Sequence, residues 1–187
     1  MANLTKMRAI SFGVLAVLGG SLLVGCGGTT SVYTINCGAD AVYVDGAGTT
    51  WLADQDKTDD LSWGAIGGDV IVRDTIEIPD TQAPMVYLNE RYNMAGYVFD
   101  LKPGKYTVRL HFAETYDGIT DAGERIFDVS INKKVVLKDF DVFKEAGGAN
   151  KPVIKEFKGI EVTEKLEIDF ETKEQNPEIN GIEILAE

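Results

Sequence analysis

The sequence predicts an all-β chain folded as an antiparallel β-sandwich. Three observations predict it. Roughly ten short stretches alternate apolar and polar residues with the period of a strand. Gly, Pro, Asn and Asp separate them at short intervals. No stretch of about twelve residues carries the periodicity of a helix. That combination belongs to sandwiches and barrels. The chain has 187 residues, enough for one domain with a sizeable core. No internal repeat or second domain is visible.

In chain order, residues 1–25 read as an export signal. Lys6 and Arg8 precede an uncharged apolar run from Ala9 to Val24, and small residues follow at the cleavage point. The run is slightly short for a spanning helix. The stretch Leu23-Val24-Gly25-Cys26 resembles the lipobox of bacterial lipoproteins, which implies a lipid on Cys26 (a palmitate-type acyl anchor) and a mature chain beginning there. An ordinary secretory signal or an uncleaved anchor is the alternative. Residues 26–32, rich in Gly, Thr and Ser, read as a flexible tether. With Cys26 lipidated, Cys37 has no disulfide partner, and its apolar setting (INCGA) marks it as a buried, inert thiol.

The domain proper is expected over 33–187. Residues 33–37 form the first strand, and a Gly- and Asp-rich stretch follows, with Tyr43 and Val44 between turns. After a charged loop at 56–60 (DKTDD), LSWGAIGG at 61–68 sets Trp63 among glycines that follow it and reads as a loop displaying its ring. Residues 69–78 carry two short alternating runs, and 85–92 (MVYLNERY) is apolar, then polar. Strands follow at 96–101 and, after the turn Pro103-Gly104, at 105–112. This last is the central strand, with Tyr106, Val108, Leu110 and Phe112 on one face and Thr107, Arg109 and His111 on the other. Its exit loop carries Glu114, Tyr116 and Asp117 to a tip, a common way to build a binding site.

Residues 126–131 and 135–140 bracket Asn132-Lys133-Lys134 as a hairpin, with Asn132 suited to a left-handed turn. A helical turn is expected at 142–146. Short strands are expected at 153–157, 160–162 and 166–170, then a polar loop and a closing strand at 179–185.

The formal net charge is -12. Such acidity argues against nucleic acid, whose binding needs Lys and Arg on phosphates, and against a basic patch on anionic lipid. A neutral or cationic ligand fits better. His111 reads as a structural strand histidine, and one histidine with one spare cysteine makes no zinc site. Asp117, Asp121 and Glu124 lack EF-hand spacing and read as solvated loop carboxylates. The glycines at 46, 48, 67 and 68 do not make a dinucleotide motif. No cofactor or metal is expected. Glu90, Glu114, Asp117 and Asp128 could in principle pair as in a glycosidase, but thirty acidic residues make chance pairs easy. Trp63, Tyr92 and Tyr116 sit at strand ends or beside glycines. Rings of this kind, with polar neighbours, suit a sugar's apolar face and hydroxyl rim, although spacing alone favours a place in the core.

Five segments in this order carry a resemblance: YLNERYN at 87–93, GYVFDL at 96–101, VRLHFAETY at 108–116, ERIFDVSINKKVVLKDFDVF at 124–143 and NPEINGIEIL at 176–185. Together they resemble the malectin domain. INCGA, YVDGAGTTWLAD and SWGAIGG are similar to the front half of bacterial members often appended to glycoside hydrolases. The likeness runs from Ile35 to Leu185. It implies a jelly-roll, galactose-binding-like sandwich that binds carbohydrate without catalysis; the animal member recognises glucose-containing disaccharide ends. Carried over by position, the ligand rings fall on Trp63, Tyr92 and Tyr116. Where the family has a further phenylalanine and an aspartate, this chain has Asp117 and Gln175, which are expected to bind hydroxyls.

The resemblance implies a di- or oligosaccharide partner and, with the lipobox, attachment to a bacterial envelope through Cys26, the outer membrane being favoured by Gly27. An envelope protein-interaction module without a sugar ligand is the alternative.

Overall fold

The computed structural model describes residues 30–187. The expected export signal, the Cys26 lipidation site and the first part of the tether lie outside the described residues. Residues at the end of the expected tether are already strand, because Thr30, Ser31 and Tyr33 pair with Ala186, Leu185 and Ile184 of the closing strand.

The first half of the domain runs β1 (Thr30–Asn36), β2 (Tyr43–Val44), β3 (Thr50–Trp51), β4 (Trp63–Ile66), β5 (Asp69–Val72), α1 (Pro84–Leu88), β6 (Asn89–Tyr92) and β7 (Gly96–Asp100). The second half runs β8 (Gly104–Phe112), β9 (Ile126–Ile131), β10 (Lys134–Phe140), α2 (Val142–Ala146), β11 (Val153–Val162), β12 (Lys165–Glu174), β13 (Glu178–Ile179) and β14 (Gly181–Ala186). A four-stranded sheet in the order β1-β14-β8-β11 and a five-stranded sheet β10-β9-β12-β7-β4 form the antiparallel sandwich. Between them Val108, Leu110, Ile182 and Ile184 meet Phe99, Phe127, Leu166 and Ile168, all without solvent contact. Burial of such side chains on two facing layers is the main stabilising term.

Local details follow the sequence closely. Asn132 and Lys133 both adopt left-handed backbone, φ 48° and 66°, and make the two-residue turn of the β9–β10 hairpin. In α2, Asp141 accepts the Lys144 N–H at 2.9 Å and Gly147 closes the helix at φ 72°.

Three elements differ. Residues 85–92 divide into a helical turn, started by Pro84 in its first turn, and strand β6. The strands expected at 153–157 and 160–162 are one, kinked by an irregularity that Gly159 relieves at φ 66°. On the other face of β8, Thr107 and His111 are buried as well, His111 against Trp51 and Tyr87 of a second cluster.

A three-stranded sheet, β13-β6-β5, stands apart from the two main layers. It is the platform of the candidate site.

Candidate carbohydrate site

On β6 the residues NERY place Glu90 and Tyr92 on one face. Ile71 of β5 is paired with Glu90, and Glu178 of β13 with Tyr92. The Arg73 N–H extends the ladder by donating to the Leu88 carbonyl at 2.7 Å. These residues lie against a cavity of about 290 Å³, which Ile71, Arg73, Glu90 and Tyr92 line from the sheet. Tyr116 from the loop after β8, Arg125 just before β9, and Gln175 and Asn176 from the loop after β12 complete it.

Each loop is held in place by buried hydrogen bonds. Asn180 accepts the Ala113 N–H at 2.6 Å and donates to the Asn89 carbonyl at 2.8 Å, which fixes the chain as it leaves β8. Glu114, wholly buried, accepts the Tyr116 N–H at 3.0 Å and Arg125 Nε at 2.7 Å. Arg125 Nη1 in turn donates to the Asn176 carbonyl. A single guanidinium therefore ties the Tyr116 loop to the Gln175 loop. Gln175 itself takes a left-handed backbone at φ 55°, a conformation that costs energy in a residue with a side chain and recurs at functional sites.

The charges behind the cavity are unusual. Arg73 lies 3.5 Å from Glu90, which also accepts the Thr115 hydroxyl at 3.0 Å. Glu178 is fully buried, and neither carboxyl oxygen has a hydrogen-bond partner. Burial first, and then the neighbouring Glu90 and Glu114 carboxylates, push Glu178 well above the usual carboxylate range. Burial also raises Glu90, against the pull of Arg125 and Arg73. Burial works against the charge of Arg125, but Glu114, Glu178 and Glu90 more than offset it and its affinity for the proton rises.

Of the five residues expected to contact sugar, the structure brings three together: Tyr92, Tyr116 and Gln175. Tyr116 is 44% exposed. Trp63 does not join them. It is 8% exposed, stacked 6.1 Å from Phe99 at an interplanar angle of 9° and packed on Tyr33. The glycine that follows it serves a strand rather than a displayed loop, because a Cβ on Gly64 would come within 2.4 Å of the Lys57 backbone nitrogen. Asp117 is exposed and lines a different hollow, which Tyr116 also borders.

The other carboxylates are occupied. Glu124 accepts the Thr120 and Asp121 N–H groups, and Asp128 accepts the Asp139 N–H. His111 bridges Tyr87 and Glu183 through its two nitrogens at 2.9 and 2.8 Å, as a structural histidine does. Among the described residues no group of three or more His, Cys, Asp or Glu is placed to hold a metal.

Arg73, Arg125, Asn176 and Ile71 escaped the sequence reading. The one available signal was the alternation of NERY, which puts Glu90 on the face of Tyr92.

A family model described as Malectin domain matches residues 31–182. Among curated proteins, a probable LRR receptor-like serine/threonine-protein kinase of Arabidopsis thaliana is 31% identical over 170 residues, which are 76% of this chain and 17% of that protein. A probable receptor-like protein kinase of the same plant is 32% identical over 141 residues, 68% of this chain and 17% of its own length. The chain thus spans less than a fifth of these relatives. Among solved structures, beta-glucuronidase of Bacteroides uniformis is similar with a TM-score of 0.73 and 28% identity, over 81% of this chain and 18% of that one. The plant receptor-like kinase FER, solved with the peptide RALF23 and LLG2, matches with a TM-score of 0.71 over 83% of this chain and 48% of that one. At 22% identity that likeness is one of fold.

Proposed function

From the premise that this chain belongs to the malectin domain family, we propose that it is a non-catalytic carbohydrate-binding domain whose site is the cavity between Tyr92, Tyr116 and Gln175. The observation that carries this reading is the meeting of these residues, from three distant segments, around one solvent-reachable hollow. Tyr92 and Tyr116 supply rings for the apolar face of a sugar in a di- or oligosaccharide. Arg73, Glu90, Gln175 and Asn176 supply donors and acceptors for its hydroxyls. Glu114 is sealed behind Arg125 and has no path to a glycosidic bond, which favours binding over hydrolysis. Asp117 borders the site from beyond Tyr116, and Trp63 supports it only as core. Calorimetric titration against sugars selected on a glycan array tests this. Tyr116→Ala should weaken binding at least tenfold, and equal affinity for both proteins would remove the site.

A second reading, a protein-interaction module, is favoured by β5. It is an edge strand paired only with β6, and Val70 and Val72 are 51% and 55% exposed on it. Open apolar edges of this kind accept added strands. Capture of a partner from envelope extract that free oligosaccharide does not compete would support this second role.

The reading includes export and a lipid on Cys26, which places the domain at the cell envelope. Among the described residues no helix is long and apolar enough to cross a membrane. Feeding cells a palmitate analogue should label the wild-type protein and not Cys26→Ser. Equal labelling of both would overturn the anchor.

A further inference from the structure

Tyr116 has a second side. It also lines another hollow, of about 490 Å³, larger than the first. Its apolar wall comes from Ile76, Ile119, Phe143 and Ala149, with Tyr116 shared between the two cavities. The ring's position is fixed from below: a Cβ on Gly118 would come within 2.5 Å of it, so the ring lies directly against the loop backbone. Ile119 is buried, and Ile76 packs against the second core cluster, so this wall is built into the fold. Phe143 is set by the capped turn α2.

Several of the polar groups that line this second hollow are already paired within the protein. The Thr115 hydroxyl donates to Glu90, the Asn150 N–H to the Glu114 carbonyl, and Thr120 to Glu124. A hydroxyl-rich sugar ring placed here would lose water and gain few hydrogen bonds, which is costly. An alkyl or aryl group would lose nothing and bury apolar surface. The first cavity has the opposite character, with Arg73, Glu90 and Gln175 facing it.

We infer that the ligand is an amphiphilic glycoside: its sugar occupies the Tyr92–Gln175 cavity, and an alkyl or aryl group attached to that sugar crosses Tyr116 into the hollow of Ile119 and Phe143. This rests on the sugar reading of the first cavity and adds a second, apolar subsite. Asp117, at the hydrated rim of that hollow, disfavours an anionic group on the aglycone.

Matched methyl, hexyl and phenyl glycosides of several sugars, titrated below micelle-forming concentrations, test it. With the sugar that binds best as its methyl glycoside, the hexyl or phenyl form should bind at least tenfold tighter, and which of the two gains more separates a lipid-like from an aromatic aglycone. Phe143→Ser should abolish the gain and leave the methyl glycoside unchanged. Ala149→Phe, at an exposed position, should do the same by filling the hollow. Equal affinities across a matched set, or a gain that survives in Ala149→Phe, overturn the second subsite and leave the sugar cavity standing. No binding by any glycoside overturns both.

Discussion

Arg125→Met should destabilise the domain by about 3–5 kcal/mol, the range seen when one partner of a buried ion pair is removed. Arg125 is buried, bonds Glu114 at 2.7 Å through Nε, and also donates to the Asn176 carbonyl. Methionine fills much of the same volume, so the loss is chiefly electrostatic. It leaves Glu114, which is inaccessible to water, without its cation, and Glu90 and Glu178 close by. Denaturant unfolding measures the effect as a lowered midpoint at unchanged slope. The double variant Arg125→Met with Glu114→Gln should recover part of the loss, because the amide carries no charge to strand. Sugar binding should fall in both variants, since the link between the Tyr116 and Gln175 loops is gone. A single-variant loss below about 1 kcal/mol would place this ion pair with the weak surface pairs instead.

The sandwich was legible because its strands alternate. Tyr106 to Phe112 and Leu166 to Phe170 point every second side chain between two layers, and that period survives in the sequence. The hairpin at Asn132 was legible because left-handed backbone has preferred residues. The site was half legible. Tyr92 and Tyr116 stand out as rings at strand ends, and Gln175 emerged only through family position. Trp63 misled because two glycines and an aromatic look alike in a loop and in a strand that another backbone crosses closely. The ion cluster was illegible for a different reason. Glu90, Glu114, Arg125 and Glu178 meet only through the pairing of β6 with β13 and the packing of the β8 exit loop, and no local pattern encodes such contacts. The arginine that joins the two loops looks in the sequence like any surface charge.

That cluster also sets a pH dependence. Glu178 is protonated more readily in the folded protein than in the unfolded chain, because burial and then Glu90 and Glu114 raise it well above its ordinary value of 4.5. The native state therefore binds more protons at this position than the unfolded state. The resulting contribution is fully present below 4.5 and is lost progressively as pH rises toward the raised native value. Glu178→Gln keeps the shape, removes the titration and supplies two N–H donors beside the Glu90 and Glu114 carboxylates. The stability difference between this variant and the wild type should grow in the variant's favour by about 1.4 kcal/mol per pH unit through that window. Other carboxylates, such as Asp45 and Glu183, are held below their usual range and stabilise the fold as pH rises, but they act equally in both proteins and cancel in the difference. Unfolding curves collected from pH 4 upward measure it directly. A difference that stays flat with pH would mean that Glu178 ionises as readily in the native protein as in the unfolded chain, so that Arg125 and Arg73 face three carboxylates there, with Glu90 and Glu114. The proposed sugar site would then carry a net negative charge behind Tyr92, and its affinity should fall for anionic sugars relative to neutral ones.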